Sequence, residues 1–191
     1  MSYRVIDNFL NDYESFRLYC DDVDFKGEVN PVDNVFYPGV SIEIPNHIQT
    51  EIIERLENYF NKQIKPILMF MRLSLKGIKA PHQAHTDASM STHAMMLYLN
   101  RKEHCNGGTS FVTHKQSGLC KNPINEIQEN IWIKDTNNPD AWEITDMCPM
   151  KTNRAMVFDS IKMHRSEPIG GFGKGAKDGR LVLTFFFNIY D

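Results

Sequence analysis

Two periodicities divide the chain. Toward the N-terminus, Ile48, Ile52, Ile53, Leu56 and Phe60 recur at helical spacing, and the Pro45-Asn46 pair marks where that helix should start. A shorter helix is predicted after Val5-Ile6-Asp7-Asn8-Phe9-Leu10, with Asn11 as N-cap and Glu14 completing a capping box. From Pro66 onward the pattern changes to strand-length runs separated by Gly, Pro, Asn and Asp, at 67–75, 84–88, 93–99, 109–113, 155–159, 162–167 and 181–189. Helices followed by many short strands predict an α+β, mostly β fold, with the N-terminal helices covering one face of a β-sandwich or jelly roll.

One segment breaks this rhythm. Residues 115–151 are about three times the usual loop length, and connections of that size tend to be lids, binding loops or disordered. They hold both tryptophans, Trp132 and Trp142, and short strands are predicted at 131–134 and 142–145 around the turn-forming Asn137-Asn138-Pro139-Asp140. Two readings stand: a packed surface hairpin, or a cover over a binding site. The run Gly170-Gly171-Phe172-Gly173-Lys174-Gly175 lacks the Lys-Ser/Thr and the helix that a phosphate-binding loop requires. The expected organisation is a single domain over 1–191, with 1–65 a helical N-terminal support and 66–191 a core carrying the 115–151 insertion.

Composition narrows the function classes. With 191 residues, 41% hydrophobic, the chain can bury roughly 70% of its unfolded surface and needs no covalent staple. A net charge of -3 offers no basic field for nucleic acid, so none is indicated as a partner. The longest apolar runs, 67–71 and 181–187, fall far short of the roughly 20 residues of a membrane span. The start, Met1-Ser2-Tyr3-Arg4, lacks the apolar stretch of a signal peptide, so a cytoplasmic protein is expected. Cys20, Cys105, Cys120 and Cys148 show no Cys-x-x-Cys spacing and read as free thiols. A zinc site among His104, Cys105, His114, Cys120 and Cys148 is disfavoured, since such sites pair their ligands at short spacing.

The chemistry concentrates at Pro81-His82-Gln83-Ala84-His85-Thr86-Asp87. If 84–88 is a strand, His85 and Asp87 project to the same face, whereas on a helix they would diverge. An imidazole and a carboxylate aimed at one point are two ligands of a facial triad, which suits non-haem Fe(II) and leaves coordination positions open. The preferred third ligand is His164, in a strand-rich stretch well downstream; His93 and His114 are nearer but less favoured. Arg180 opens the apolar strand Leu181-Val182-Leu183-Thr184-Phe185-Phe186-Phe187, where a permanent charge needs a carboxylate partner or solvent. A dicarboxylate would supply that partner, held bidentately.

Taken in order, His85-Thr86-Asp87, Met95-Met96-Leu97-Tyr98-Leu99-Asn100, Asn106-Gly107-Gly108-Thr109-Ser110-Phe111, Lys151-Thr152-Asn153-Arg154-Ala155-Met156-Val157-Phe158, His164 and Arg180 resemble the Fe(II)/2-oxoglutarate dioxygenase superfamily. Within it they most resemble the prolyl-hydroxylase branch, and also a group of such sequences from bacteria and their phages. The resemblance implies a double-stranded β-helix and the cofactors Fe(II) and 2-oxoglutarate. It also implies hydroxylation of a small-molecule or protein substrate with O2. The metal ligands it implies are His85, Asp87 and His164, with Arg180 and Tyr98 on the distal carboxylate of 2-oxoglutarate. Leu75 falls where that branch carries a second cofactor-contacting Tyr. The alternatives are a cupin-type metal enzyme, which resembles His-x-His followed by Glu rather than His-x-Asp, and a non-enzymatic jelly-roll binding or structural protein.

Overall fold

All the predicted strand segments except 84–88 and 131–134 fall in strands. The computed structural model describes residues 2–30, 34–78 and 80–190. In chain order its elements are β1 (Arg4–Asp7), α1 (Tyr13–Tyr19), β2 (Glu28–Val29), β3 (Phe36–Tyr37), β4 (Val40–Ser41), α2 (Asn46–Phe60), β5 (Ile64–Ser74), β6 (His93–Tyr98), β7 (Gly108–His114), α3 (Glu126–Asp135), β8 (Trp142–Pro149), β9 (Arg154–Asp159), β10 (His164–Glu167) and β11 (Arg180–Ile189). Six strands form one antiparallel sheet in the order β1-β9-β6-β11-β5-β4, and β10-β7-β8 form a second. The protein is thus mostly β, with α1 and α2 against the larger sheet and α3 beside the smaller one.

Strand alternation builds two layers of core from the same strands. On the helix side of the larger sheet, Met71 and Leu73 of β5, Met95 and Leu97 of β6, and Leu181, Leu183, Phe185 and Phe187 of β11 pack against Phe9, Tyr13 and Phe16 around α1 and Ile48, Ile52 and Leu56 of α2. Alternate residues point the other way. There Tyr98, Phe111, Cys148, Met156, Phe158, Val182 and Phe186 form a second cluster between the two sheets. Fully burying one such Leu, Ile or Phe stabilises the fold by roughly 1.5–3 kcal/mol, so the layer order is strongly specified.

The N-terminal segment does more than support. Besides α1 and α2 it supplies the edge strands β1 and β4 of the large sheet and the β2–β3 hairpin. The helix α2 begins and ends as its apolar spacing predicts. The first helix starts later than its capping signal: Asp12 is its N-cap, without a side-chain hydrogen bond, and the Asn11 side chain instead accepts from Arg55.

Inside 115–151 the pattern misleads in one half. Residues 131–134 lie in α3, not in a strand, whereas 142–145 open β8, which pairs along β7. The hairpin reading therefore holds only for the second tryptophan. The run 84–88 is likewise no strand. It is irregular backbone running from a bend into a turn, joined to the sheet side by an isolated bridge between His85 and His164.

Candidate active site

The His-x-Asp segment is fixed by backbone hydrogen bonds on both flanks. His85 N donates to the His164 carbonyl at 3.0 Å and His164 N returns a bond to the His85 carbonyl at 2.9 Å, while Asp87 N donates to Ser160 O at 2.9 Å. From behind, Trp132 Nε1 and Thr136 Oγ1 both donate to the Ala84 carbonyl, at 2.8 and 2.7 Å. His85 and His164 therefore meet although they lie on separate segments and the first is not in a sheet. Their rings stand 4.5 Å apart.

Each ring is also oriented. His85 Nδ1 lies 3.0 Å from Gln83 O, and His164 Nδ1 lies 2.9 Å from Lys162 O. A carbonyl accepts from Nδ1–H, which leaves the Nε2 lone pair of each ring free for a metal. Asp87 Oδ1 lies 3.7 Å from His85 Nε2, and Asp87 Oδ2 lies 3.3 Å from His164 Nε2. All three ligand atoms fall within 4.8 Å of one another, and among the described residues this is the one such cluster. Adjacent ligands about 2.1 Å from a common metal stand about 3 Å apart, so the set is close to the span of one face of a coordination shell. Asp87 Oδ2 and His164 Nε2 are buried without a hydrogen-bond partner, as atoms reserved for a ligand would be.

Electrostatics agrees with the donor set at two of its three groups. At the third, burial is outweighed by the neighbouring Asp87 carboxylate, which raises His164 above its ordinary range, so a metal must displace its proton. Burial, reinforced by the neighbouring His164, brings His85 down to about 4, so it is neutral at physiological pH. Burial alone would raise Asp87, but the two histidines and Arg72 outweigh it and hold the carboxylate below its ordinary range. A neutral imidazole and an ionised carboxylate are the forms in which a divalent metal is bound.

These atoms open onto a cavity of about 310 Å3 between the two sheets. Arg180, only 2% exposed, lies on its wall. Its Nη2 donates to Gly108 O at 3.2 Å, and its Nε is buried without a partner. Burial lowers this guanidinium to about 10, with Arg72 adding repulsion. A charge so placed calls for an anion. The approach of the Gly108 carbonyl depends on backbone that only glycine tolerates: Gly107 has φ +68°, Gly108 has φ +155°, and a Cβ on Gly108 would collide with the Cys148 carbonyl.

Tyr98 belongs to the cluster between the sheets but does not line the cavity. Its hydroxyl donates to Thr109 Oγ1 at 3.0 Å and approaches Cys148 O at 3.3 Å. Thr109 itself, on β7, lines the cavity. Leu75 is not a cavity residue either. It continues the helix-facing parity of Met71 and Leu73 and packs into that core, and the polar residue that β5 does turn to the cavity is Arg72.

The other predicted groups have structural roles. His93 stacks on Phe187 with ring centroids 5.6 Å apart. His114 contacts Asp135 at 3.2 Å and Ser117 at 2.9 Å, tying α3 to β7. His82 packs on Trp132. The four cysteines are free thiols, and none joins a metal cluster among the described residues. Nothing from 115–151 lines the cavity; its outer wall comes instead from β2, Tyr37, Val40 and Ile42. Arg165 points away from His164, as alternation requires, and pairs with Glu167 at 2.7 Å.

The same fold occurs in 2-oxoglutarate-dependent enzymes of known structure. HygX from Streptomyces hygroscopicus, solved with nickel, 2-oxoglutarate and hygromycin B, matches 97% of this chain and 82% of its own at 15% identity and a TM-score of 0.52. The non-haem α-ketoglutarate-dependent epimerase SnoN of nogalamycin biosynthesis matches 97% of this chain and 76% of its own at 9% identity, with a TM-score of 0.58. The viral collagen prolyl hydroxylase of Paramecium bursaria Chlorella virus-1 covers 98% of this chain and 89% of its own at 13% identity and a TM-score of 0.51. No curated protein sequence matches the chain. The chain belongs to DUF6445, a family of unknown function, which it matches over residues 2–187. Among the described residues, no helix is long and apolar enough to cross a membrane.

Proposed function

We propose that this chain is a non-haem Fe(II) dioxygenase that couples oxidative decarboxylation of 2-oxoglutarate to hydroxylation of a substrate. The observation that carries the reading is one cavity with two complementary demands: three converging metal-ligand atoms on one wall and a buried, under-partnered guanidinium on another. The two facing sheets are read as a double-stranded β-helix and the chain as one domain, and the prolyl-hydroxylase-like branch is proposed on the order of its sequence motifs. A small molecule or protein is the proposed substrate, with O2, in the cytoplasm; neither nucleic acid nor membrane is proposed as a partner.

His85, Asp87 and His164 would hold the iron, and Arg180, with the Thr109 hydroxyl, the distal carboxylate of 2-oxoglutarate. Tyr98 would act through Thr109, donating to it and so turning the Thr109 proton outward. When bound, iron and 2-oxoglutarate together supply oxidation of a C–H bond by O2, with release of succinate and CO2. The chain's own contribution is placement. The Gln83 and Lys162 carbonyls fix both imidazoles with Nε2 inward. Asp87 supplies the single anionic ligand. Leu68, Phe70, Met96 and Phe186 give the cavity an apolar wall that excludes water from the reacting centre. No side-chain acid or base is required.

Anaerobic calorimetry tests the reading: Fe(II) should bind at unit stoichiometry, and 2-oxoglutarate should bind only to the metal-loaded protein. A substrate screen would then follow stimulated succinate release. A binding protein with incidental histidines would bind neither, and that result refutes the oxygenase.

A further inference from the structure

Two arginines, not one, face the cavity. Arg72 interrupts the apolar strand β5 and is half-buried on the cavity wall, with its Nε buried and unpartnered. Among the described residues no carboxylate is within ion-pair reach of it. Its neighbours are the Tyr37 ring, 5.7 Å from the guanidinium carbon, and, farther off, the charge of Asp87. Glu28, also on the cavity rim, is exposed and forms no ion pair with it.

Register separates the two arginines. Arg180 stands opposite Ser74, whereas Arg72 stands in the next inward-facing row, between Val182 of β11 and Val40 of the edge strand β4. Arg180 is thus grouped with Thr109 and Gly108 from the second sheet, and Arg72 with the β3 and β4 side of the cavity. Charge separates them too. On the oxygenase reading, the charges of a divalent metal, Asp87, a dianionic cosubstrate and Arg180 cancel. Arg72 is left as one uncompensated positive charge in a site of low dielectric, which is costly until an anion joins it. A single guanidinium matches a monoanion; a phosphate dianion beside Asp87 and the cosubstrate would remain half unneutralised.

The rest of that wall is apolar. Leu68 and Phe70 share the inward face of β5 with Arg72, and Met90 and Phe186 border them. We propose that Arg72 receives a carboxylate of the primary substrate, whose apolar body rests on Leu68, Phe70, Met90 and Phe186. The substrate class is then a compact apolar carboxylic acid, or a residue presenting a free carboxylate. This deepens the oxygenase reading and rests on it.

The test uses the intact protein loaded with Mn(II) and saturating 2-oxoglutarate, titrated with 3-phenylpropanoate, 3-phenylpropanamide and phenyl phosphate. The acid should bind about tenfold or more tightly than the amide, as a charge-assisted pair implies. Arg72→Met should erase that difference while leaving 2-oxoglutarate affinity within about twofold. Equal binding of acid and amide by the wild type overturns the proposal without recourse to any variant. So does acid binding unchanged in Arg72→Met, or a loss of 2-oxoglutarate affinity in that variant as large as in Arg180→Met, which would give Arg72 to the cosubstrate. Preference for the phosphate would overturn the carboxylate class. The titrations are repeated without metal and cosubstrate. Failure of the wild type to bind Mn(II) or 2-oxoglutarate would then strike the oxygenase reading, while loss of the contrast between acid and amide in Arg72→Met but not in Arg180→Met still decides the role of Arg72, and the reverse overturns it.

Discussion

Replacing Arg180 by Met should make the ligand-free protein more stable and the cosubstrate weaker, a pairing of signs that a structural arginine would not give. The guanidinium is fully buried and donates one hydrogen bond, to the neutral Gly108 carbonyl. It is held at about 10 instead of 12.5, chiefly by burial. That depression corresponds to roughly 3 kcal/mol of unrelieved cost at neutral pH, where the group is charged both folded and unfolded. Met fills a similar volume without charge, and the lost neutral hydrogen bond returns about 1 kcal/mol. A net gain of about 2 kcal/mol corresponds to a rise in melting temperature of roughly 4–8 °C for a chain of this size. Against this, a charge-assisted carboxylate pair worth about 1.5–3 kcal/mol is lost, so 2-oxoglutarate should bind about tenfold to a few hundredfold more weakly. Thermal unfolding with and without Mn(II) and 2-oxoglutarate, with calorimetric affinities, reads both effects. A variant that melts lower yet keeps its cosubstrate affinity would refute the assignment. A loss confined to Lys177→Ala would move the role to the Gly-rich loop, although Lys177 is exposed.

Tyr98→Phe should cost about 0.5–1.5 kcal/mol of stability and weaken 2-oxoglutarate only a few fold, because its hydroxyl works through Thr109; a loss equal to that of Arg180→Met would mean direct contact. Asp87→Ala and His164→Ala should abolish Mn(II) binding in calorimetry with circular dichroism unchanged, whereas His82→Ala and His93→Ala should bind normally. Gly108→Ala, which drives a Cβ into the Cys148 carbonyl, should yield little folded protein on expression, and a normally melting variant would show that β7 and β8 can part. In hydrogen exchange, adding Mn(II) and 2-oxoglutarate should protect residues 36–42, which border the cavity, more than 126–135, which do not; the reverse would revive 115–151 as a cover.

The strands and the convergence of His85 with Asp87 were legible because both rest on short-range patterning, whereas His164 joins them from a distant segment that no spacing rule reaches. Alternation and turn residues located the core strands, and the two-residue spacing of His85 and Asp87 still converges although one bridge, and no strand, holds that segment. The helix at 126–135 was hidden because Ile127 and Ile133 are exposed, leaving no apolar stripe to see. Its readable sign was the cap: Asn125 accepts from Gln128 N at 3.0 Å, and the Gln128 side chain accepts from Ile124 N at the same distance. Arg72 also left a signal, a cation inside an otherwise apolar run. Where the Tyr98 hydroxyl ends could not be read, since that depends on the position of β7 across the sheet gap. The parity that sends Leu75 to the helix face was in principle available from Met71 and Leu73.

The two faces of β11 also bear on how such a protein can diversify. Positions 181, 183, 185 and 187 belong to the helix-side core, and positions 180, 182, 184 and 186 to the cavity wall. Selection for a new ligand and selection for a folded chain therefore act on different residues of one ribbon. A substitution at Thr184 or Val182 reshapes what is recognised while Leu183 and Phe185 go on holding α1 and α2. A one-residue insertion is another matter, since it would exchange the two sets and lose core and site together. Side chains on this scaffold can therefore change where spacing cannot, and solved chains only 9–15% identical share the fold over 97% of this one.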